Sequence, residues 1–557
     1  MGQSILTYYK ENKTPTYEEV LDFYKYADSI SPYMQLQTGE LTDAGLPLQV
    51  LVIDGDQEFT AEAARSRKKM ILLINNGIHP GEPDGVDACL QLIHRLLQSQ
   101  QIQLELADMM ICIIPMYNID GSLNRNSTTR VNQNGPEAYG FRGNARNYDL
   151  NRDFIKADSR NATAFANMYT RFYPDVFIDT HVSNGADYQH VMTIIPTLSE
   201  KLAPQQQQYM DSYLMPELFK LMQKKGFPMC PYVNTVKETP DDGIIAFHDR
   251  PRYSTGYAAL YNAIGFMPET HMLKPYPQRV EATLAFIESV MQTMVKHKYY
   301  ISTTREIADK YQLEKRDMYL DYFPDTTQHS TFEFMGYTAA YKPSEVSGLP
   351  RLYYDRTKPY IKSIPFYTKY QPGLPVRIPE AYIIPQAWVE IIEKLKANRV
   401  QMEQLTADTT LKATTYYITS METGDYPYEG HYYHKNIQVK FEHQEVVCRK
   451  GDYLIKTHQA ARQYLTTALE PQSPDGFFAW GFFDAILMQK EWFSEYVFED
   501  LAAEILKNNP SLREQLEQAK SNDPELANSA YLQLQFVYEH SIYKEPTYKR
   551  YPVLRIE

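Results

Sequence analysis

Cysteine is scarce in this sequence, which restricts how the fold could be cross-linked or could bind a metal. The 557 residues include only four cysteines, Cys89, Cys112, Cys230 and Cys448, and no two of them form a C-x-x-C pair. A zinc site built from cysteines is therefore not expected, and no disulfide framework is indicated, although a single bridge stays open. Because Cys89 and Cys112 lie in apolar segments, we expect them to be buried thiols.

The sequence also lacks long hydrophobic runs and an excess of positive charge. No segment reaches the length of about 20 apolar residues that a membrane-spanning helix needs. The formal net charge of -13 argues against nucleic acid or an anionic membrane as the main partner. The first ten residues contain neither the basic region nor the apolar core of an export signal. Two alternatives stay open: a cytoplasmic protein, or a mature chain whose export signal has been removed.

Tryptophan is rare, whereas tyrosine is abundant. The chain contains 3 tryptophans and 46 tyrosines. Tyrosine combines a flat apolar ring with a polar tip, which suits wet clefts for peptides or glycans. A general compositional bias explains the same count equally well, so the tyrosines alone assign no function.

Strand-like and helix-like segments alternate over the first 300 residues. Apolar runs predict strands at 49–54, 70–75, 109–115, 175–181 and 265–270. Helical spacing of apolar residues predicts helices at 16–28, where Thr16 can cap the first turn, and at 84–99, 157–172 and 277–297. This alternation predicts an α/β fold with a mixed, mostly parallel sheet and helices on both faces.

The sequence changes character after residue 300. Because the chain is too long for one ordinary core, we predict a first domain over 1–300 and a C-terminal extension over 301–557. We expect the extension to be a mixed α/β domain. Its predicted segments are β-rich at 301–385, helical at 385–396, short strands at 411–456 and largely helical at 488–536.

The stretch from Ile71 to Gly85 carries the first chemical signal. An apolar run ends in Gly77, and His79 and Glu82 follow three residues apart. Both would lie on the turn at the carboxyl end of a strand, where open α/β sheets build their sites. Imidazole and carboxylate are zinc ligands, and a tight turn can aim both at one point. A polar turn that caps the next helix is the plainer alternative.

Three further polar segments are predicted to lie at strand ends. They are Asp149-Leu-Asn151-Arg152, Asp179-Thr-His181 and Pro268-Glu269-Thr-His271. Taken singly, they could be a surface ion pair, a polar residue near the core and an acid before a helix. Together with His79 and Glu82 they supply what metal-assisted hydrolysis needs: three ligands, a free carboxylate for proton transfer and a guanidinium for a developing oxyanion.

The order of these motifs resembles the M14 zinc carboxypeptidases. That family runs through H-x-x-E, D-x-N-R, a lone His and a late Glu. The resemblance covers about residues 40–300 and is carried by Gly77–Glu82, Asn118–Gly121, Tyr148–Phe154 and Thr180–His181. It implies a zinc carboxypeptidase-like fold, one zinc ion as cofactor, and a peptide with a free C-terminal carboxylate as substrate.

The resemblance also implies a role for each matched residue. His79, Glu82 and His181 match the zinc ligands, and Asp149 matches the carboxylate that orients the first histidine. Asn151 and Arg152 match the pair that holds the substrate carboxylate. Glu269 matches the general base and acid that acts on a metal-bound water. Arg130 matches the oxyanion-stabilising arginine, with three competitors for that role, Arg125, Arg142 and Arg146.

The sequence departs from the family pattern at two places. Many pancreatic-type members carry an arginine just before the glutamate of H-x-x-E, whereas this chain has Gly81, so one subsite contact is missing. The family also places a mobile substrate-binding tyrosine upstream of the catalytic glutamate. Tyr253, Tyr257 and Tyr261 all precede Glu269, and spacing does not choose among them; Tyr253 and Tyr257 are the residues we predict. Side-chain specificity therefore cannot be assigned from the sequence.

The long extension suggests a bacterial branch of the family, in which export to the periplasm or the outside is usual. We therefore expect a periplasmic or secreted protein whose signal has been removed. Within the extension, His431 and His434 have H-x-x-H spacing near Glu429. A second metal site is one interpretation, and an exposed tyrosine-rich loop is the more ordinary one.

Three functions follow, in order of preference. The first is a zinc metallocarboxypeptidase that hydrolyses the C-terminal peptide bond. The second is a zinc amide hydrolase acting on cell-wall peptides or N-acyl amino acids. The third is a catalytically inactive peptide- or glycan-binding protein that keeps the fold. Nothing in the sequence decides the oligomeric state.

Overall fold

The computed structural model describes residues 4–557. Met1–Gln3, which belong to the segment examined for an export signal, lie outside the described residues. Among the helices of residues 4–557, none combines the length and the apolarity that crossing a membrane requires. The four cysteines are all buried and free, as expected for Cys89 and Cys112.

The first 300 residues fold into alternating strands and helices, as predicted. The strands are β1 (Met34–Leu41), β2 (Pro47–Ile53), β3 (Met70–Asn75), β4 (Met109–Ile114), β5 (Val176–Asp179), β6 (His181–Ser183), β7 (Met192–Pro196), β8 (Cys230–Pro231), β9 (Ile244–Ile245) and β10 (Ile264–His271). The helices are α1 (Tyr17–Ile30), α2 (Ala61–Ser66), α3 (Asp84–Gln98), α4 (Ile102–Glu105), α5 (Ile119–Leu123), α6 (Arg160–Phe172), α7 (Pro204–Tyr209), α8 (Met215–Lys224), α9 (Ser254–Ala259) and α10 (Tyr276–Lys296). Thr16 caps α1 by accepting a hydrogen bond from the backbone N–H of Glu19.

One mixed sheet of nine strands organises this half of the molecule. Its order is β1-β2-β4-β3-β5-β10-β7-β8, and β6 pairs with β10 beyond the end of β5. The central strands β4, β3, β5 and β10 are parallel, whereas the pairs β1/β2, β2/β4 and β10/β7 are antiparallel. The carboxyl ends of the central strands therefore meet at one edge, where α/β sheets place their sites.

Helices cover both faces of this sheet because the central strands are apolar on both sides. Ile71 and Leu73 point into one core and Leu72 and Ile74 into the other. Side chains of α1, α3, α8 and α10 fill the core on the Leu72 side, and side chains of α6 and α9 fill the opposite one. The predicted mixed sheet with helices on both faces is confirmed.

The extension begins with a helix, which corrects one prediction. Residues 301–314 were expected to be β-rich, but α11 spans Lys298–Glu314. Its buried residues include Ile301, Thr304, Ala308 and Gln312, which recur at helical spacing. The tyrosines and threonines around them favour strands locally. Packing against the region that contains the nine-stranded sheet, residues 4–300 and here called the sheet domain, overrides that preference.

The rest of the extension contains one separate long hairpin, a six-stranded sheet with a second long hairpin at its edge, and a group of helices near the end of the chain. Its strands are β11 (Asp317–Tyr319), β12 (Tyr322–Pro324), β13 (Ser330–Pro343), β14 (Pro350–Tyr367), β15 (Tyr370–Pro372), β16 (Pro375–Arg377), β17 (Ala381–Ile384), β18 (Glu403–Gln404), β19 (Thr409–Thr423), β20 (His434–Cys448), β21 (Tyr453–Lys456) and β22 (Leu554–Ile556). Its later helices are α12 (Val389–Ala397), α13 (Arg462–Leu469), α14 (Glu495–Asn508), α15 (Pro510–Asn522), α16 (Pro524–Ala527) and α17 (Ala530–Glu539). The predicted short strands at 411–456 are mostly the long hairpin β19–β20.

The extension packs directly against the sheet domain. Side chains of α12 and α13 join the core on the Ile71 side of the sheet. The hydroxyl of Tyr257, in α9, donates to Asn398 Oδ1 at 2.6 Å, and β14 pairs in parallel with β9. The domain boundary near residue 300 stays a prediction, because a shared core runs across it.

Candidate metal centre and active-site cavity

His79 and Glu82 lie on the tight turn between β3 and α3, as predicted. The backbone N–H of Glu82 donates to the carbonyl of His79 at 2.8 Å, which closes the turn. Gly85, in the first turn of α3, allows a close approach: a Cβ there would lie 2.0 Å from Oγ1 of Thr180. The helix can therefore pack against the chain segment that carries His181.

The register of the sheet brings His181 and Glu269 together. His181 begins β6, and β6 pairs in parallel with β10 so that the Cα atoms of His181 and Glu269 are partners. Glu269 lies inside β10 rather than at its end. Both side chains are buried at the carboxyl edge of the central strands.

The side chains of His79, Glu82 and His181 converge on one point. Oε2 of Glu82 lies 3.2 Å from Nδ1 of His79 and 3.2 Å from Nδ1 of His181. One ligand atom from each residue lies within 4.8 Å of the others. Nδ1 of His79 is buried and has no hydrogen-bond partner in residues 4–557. Two imidazole nitrogens and a carboxylate, one nitrogen lacking a partner, fit a zinc ion with an open position.

Two carboxylates hold the far nitrogens of the histidine rings. Nε2 of His79 lies 2.9 Å from Asp149 Oδ1, and Nε2 of His181 lies 2.9 Å from Asp179 Oδ2. Such contacts fix the orientation of a ring so that its other nitrogen faces the metal. Asp149 matches the sequence prediction. Asp179 was missed as an orienting group, although its place two residues before His181 was visible.

The segment carrying Asp149, Asn151 and Arg152 is not at a strand end, which corrects the prediction. Residues Leu150–Arg152 form a single 3-10 turn in a long loop, and the Asp149 side chain accepts a hydrogen bond from the backbone N–H of Asn151. Asp149 therefore caps this turn while it holds His79. Its pKa lies below the ordinary value because the charges of His79 and Arg142 outweigh the effect of burial.

Glu82 and Glu269 are two buried carboxyls with opposite pKa shifts. Burial favours the neutral form of each. For Glu82 the charges of His79 and Arg130 outweigh burial and hold the pKa well below its usual range. For Glu269 burial prevails, and the nearby charge of Glu82 adds to it against the opposing charge of His181, so the pKa rises to about 7. Pairs of acids whose environments separate their pKa values in this way are typical of catalytic sites.

Of the four candidate arginines, the structure places two in the site. Nη1 of Arg130 lies 3.0 Å from Glu82 Oε1, and Arg142 lies 3.5 Å from the same oxygen while its Nε and Nη2 bond Asp149. Arg125 and Arg146 instead donate to backbone carbonyls away from the ligand cluster. Arg130 and Arg142 therefore remain the candidates for an oxyanion contact.

Gly81 makes room for Arg130. A Cβ at Gly81 would lie 2.4 Å from Cδ of Arg130, so a larger residue would displace that arginine. Gln133 fixes Arg130 by accepting from its Nε at 2.7 Å and donates to the carbonyl of Gly81 at 2.8 Å. The space that Gly81 leaves beside Glu82 is therefore occupied by the side chain of Arg130, which comes from another loop.

The predicted carboxylate-holding residues line the same cavity as the ligand cluster. Asn151 and Arg152 both border it, and the Arg152 guanidinium lies over the ring of Tyr253 at 4.7 Å. The prediction that Tyr257 binds substrate is wrong, because its fully buried hydroxyl bonds Asn398 in the core. Tyr261 lies in the same core and bonds the same oxygen.

The cavity has a volume of about 420 Å³. One wall is apolar. Met267 lies two residues before Glu269 on the same face of β10 and pairs with Ile195 of β7. The ring of Phe247 continues this wall towards Tyr253, with the two ring centroids 5.0 Å apart. The residues that line the cavity on this side, which the sequence did not identify, are Ile195, Tyr232, Phe247 and Met267.

His431, His434 and Glu429 do not form a second metal site. His431 lies 2.6 Å from Asp158 Oδ2, His434 lies 2.8 Å from Asp484 Oδ1, and Glu429 accepts from the backbone N–H of Asp149. Within residues 4–557, His79, Glu82 and His181 are the one group of three ligand side chains arranged to hold a metal.

The fold and this site define a class: a metallohydrolase with a His-Glu-His centre at the edge of an α/β sheet. Residues 24–181 match the model of the zinc carboxypeptidase family, Peptidase M14. The resemblance inferred from the motifs is confirmed, and the chain is a zinc metallopeptidase of the carboxypeptidase type. The matched stretch ends at His181, so it does not include Glu269.

The chain is similar in sequence to proteins named carboxypeptidase 2 and in structure to a solved metallo-carboxypeptidase. Carboxypeptidase 2 of Trichophyton rubrum is 22% identical over 444 residues, covering 75% of this chain and 74% of that protein. Carboxypeptidase 2 of Trichophyton equinum is 23% identical over 435 residues, covering 75% and 74%. The crystal structure of a metallo-carboxypeptidase from Burkholderia cenocepacia matches with a TM-score of 0.37 and 18% identity, covering 50% of this chain and 69% of that chain.

Proposed function

We propose that this metallocarboxypeptidase removes the C-terminal residue of a peptide that ends in a free carboxylate. The observation that carries the proposal is the position of Arg152 on the cavity that also contains the ligand cluster and Glu269. A guanidinium is suited to a carboxylate partner. A substrate held there by its terminal carboxylate would have its last peptide bond near the cluster.

We propose that His79, Glu82 and His181 hold one zinc ion. Asp149 and Asp179 keep the two imidazoles oriented, with Nδ1 of each ring facing Glu82. Zinc, when bound, supplies Lewis acidity: it lowers the pKa of water and polarises a carbonyl.

Glu269 is the proposed general base and acid. It is buried beside His181, and its raised pKa of about 7 lets it exchange a proton near neutral pH. It accepts a proton from the attacking water and returns that proton to the leaving amine. Arg130, or Arg142 beside it, stabilises the negative charge that develops on the carbonyl oxygen.

The apolar wall is the proposed site for the side chain of the departing residue. Met267 and Ile195 begin this wall next to Glu269, and Phe247 carries it to Tyr253 and Arg152. It therefore lies between the group proposed to act on the scissile bond and the group proposed to hold the carboxylate. An aliphatic or aromatic C-terminal residue fits this wall better than a charged one.

A substrate panel tests the function. The zinc-loaded protein is incubated with peptides ending in Phe, Leu, Lys or Asp, with the same peptides amidated, and with muropeptides and N-acyl amino acids. We expect release of a free apolar amino acid from the carboxylate-ending peptides and little from the amidated ones. Hydrolysis of muropeptides or N-acyl amino acids alone would replace carboxypeptidase action with the amide-hydrolase alternative.

The binding-protein alternative is tested in the same experiment. No turnover on any substrate, with zinc present at one ion per chain, would overturn the enzymatic proposal and favour a protein that only binds peptides or glycans. A periplasmic or secreted location stays a prediction.

A further inference from the structure

The C-terminal extension reaches the proposed carboxylate-binding site through one loop. Residues 424–433, here called the tip loop, connect β19 to β20 and contact the segment that carries Asp149 and Arg152. We propose that the tip loop positions Arg152 for the substrate carboxylate and that Tyr428 is its positioning residue. This inference rests on the function proposed above for Arg152.

The guanidinium of Arg152 is held on three sides. Its Nε donates to the hydroxyl of Tyr428 at 3.1 Å, and its Nη1 donates to the carbonyl of Asn151 at 2.8 Å. Its face lies over the ring of Tyr253 at 4.7 Å. Nη2 has no hydrogen-bond partner in residues 4–557. The contacts therefore fix the plane of the guanidinium and leave its outer end for a ligand.

Tyr428 is itself held in place by the extension. Its ring stacks on Trp480, with centroids 5.8 Å apart and planes 17° apart, and Trp480 is fully buried. Tyr428 is 37% exposed, and the stack on Trp480 limits how far its phenol can follow Arg152 if the arginine changes rotamer. A hydrogen bond from a long, flexible side chain to a fixed acceptor reduces the number of conformations that the side chain samples before it binds.

The residues after Tyr428 attach the tip loop to the same segment. The Glu429 carboxylate accepts from the backbone N–H of Asp149 at 2.8 Å, and His431 lies 2.6 Å from Asp158 Oδ2. Glu429 has φ +49°, a left-handed backbone that few residues other than glycine adopt. Gly430 follows with φ +84°, and a Cβ there would lie 2.8 Å from the ring of Tyr148. The turn is therefore shaped for close contact with this segment.

A positioning function predicts a specific kinetic change. Tyr428 does not border the cavity, so it does not touch the reacting atoms. Removing its hydroxyl would loosen Arg152 without changing the ligand cluster or Glu269. Binding of the substrate carboxylate would weaken, and the chemical step would not, so KM should rise while kcat stays nearly constant.

The experiment compares Tyr428→Phe with Tyr426→Phe in the full zinc-loaded chain. Tyr426 belongs to the same tip loop, and 84% of its surface is accessible against 37% for Tyr428, so it is the matched control. We expect Y428F to raise KM for a carboxylate-ending peptide roughly tenfold, the effect of losing a hydrogen bond to a charged group. Zinc content, melting temperature and kcat should match the unmodified protein, and Y426F should leave KM unchanged.

Arg152→Gln separates failure of this inference from failure of the proposed function. If Y428F acts through Arg152, it should add little to the KM of R152Q in the double variant. A large R152Q effect with an unchanged KM for Y428F would overturn the inference and leave the proposed function standing. If R152Q itself leaves the discrimination between free and amidated peptides unchanged, the proposed carboxylate site fails and the inference fails with it. A Y428F effect on kcat alone would also overturn the positioning function.

Discussion

Oδ2 of Asp179 lies 2.9 Å from Nε2 of His181, two residues further along the chain. The same carboxylate group accepts a hydrogen bond from Nδ2 of Asn75 through its other oxygen, so its position is fixed from β3. Asp149 makes the corresponding contact to His79 from a distant loop. Each histidine of the ligand cluster therefore has its own carboxylate partner, of which Asp179 is fully buried and Asp149 partly exposed.

We expect Asp179→Asn to weaken zinc binding. The amide keeps the shape of the carboxylate but not its charge, and losing such a partner typically costs about 10- to 100-fold in metal affinity. Competition with a chelating dye measures the affinity directly. Asp28→Asn, at an exposed position, is the control and should bind zinc normally. Unchanged affinity in D179N would mean that His181 needs no carboxylate to keep its orientation.

Glu269→Gln should abolish turnover while zinc stays bound. Glutamine fills the same space but cannot accept the proton of water, and general acid-base catalysis typically contributes about 10²- to 10⁴-fold. Steady-state kinetics and metal analysis of the same sample test both parts of this expectation. Glu40→Gln, at an exposed site, should behave as the unmodified protein. Appreciable turnover by E269Q would remove Glu269 from its proposed function.

The activity should rise with pH as Glu269 loses its proton. Burial raises the pKa of Glu269 from 4.5 to about 7, and a base acts only in its ionised form. A bound cation favours ionisation, so we expect the acid limb of kcat/KM to have its midpoint between these two values. Zinc content must be measured at each pH, because loss of metal would give a similar limb. A flat profile down to pH 4.5 with zinc retained would contradict the prediction.

Asp87 should make the protein less stable as the pH rises, independently of the metal centre. Burial raises its pKa from 3.8 to about 7, although Tyr276 and Thr14 donate hydrogen bonds to it. Between these two values the folded state keeps a proton that the unfolded state loses. The contribution of Asp87 to the free energy of unfolding is therefore fully present below pH 3.8 and is lost as the pH rises to about 7. The loss is on the order of 4 kcal/mol.

Urea unfolding of the metal-free protein at pH 4 and pH 7 measures this loss. Asp87→Asn cannot ionise, so its free energy of unfolding should fall less between the two pH values than that of the unmodified protein. Asp28→Asn should show the unmodified dependence. The same pH dependence in D87N and in the unmodified protein would show that Asp87 is ionised in the folded state throughout.

The sequence predicted the catalytic edge of the sheet because the evidence there is local. The runs 70–75 and 109–115 are apolar on both faces, and His79 and Glu82 follow one of them directly, so strand and site are visible together. The contacts between distant segments could not be predicted. Tyr257 has the spacing of a site residue, and only the position of Asn398 places it in the core.

The arginines illustrate the same limit. Four candidates lie between 125 and 146, and spacing could not separate them because that region is a long loop without a repeating pattern. Hydrogen bonds to distant backbone carbonyls remove Arg125 and Arg146 from the site. The contact between Tyr428 and Arg152 could not be predicted either, because the two residues are 276 positions apart in the sequence.

The core shared by α9 of the sheet domain and α12 and α13 of the extension has a consequence for shortened forms of the protein. A fragment ending near residue 300 would expose the apolar side chains around Tyr257 and leave its buried hydroxyl without Asn398. Such a fragment is expected to aggregate during expression even though every proposed zinc ligand is present. The catalytic half is therefore a poor candidate for a minimal enzyme, and shortened versions for engineering should retain at least α12 and α13.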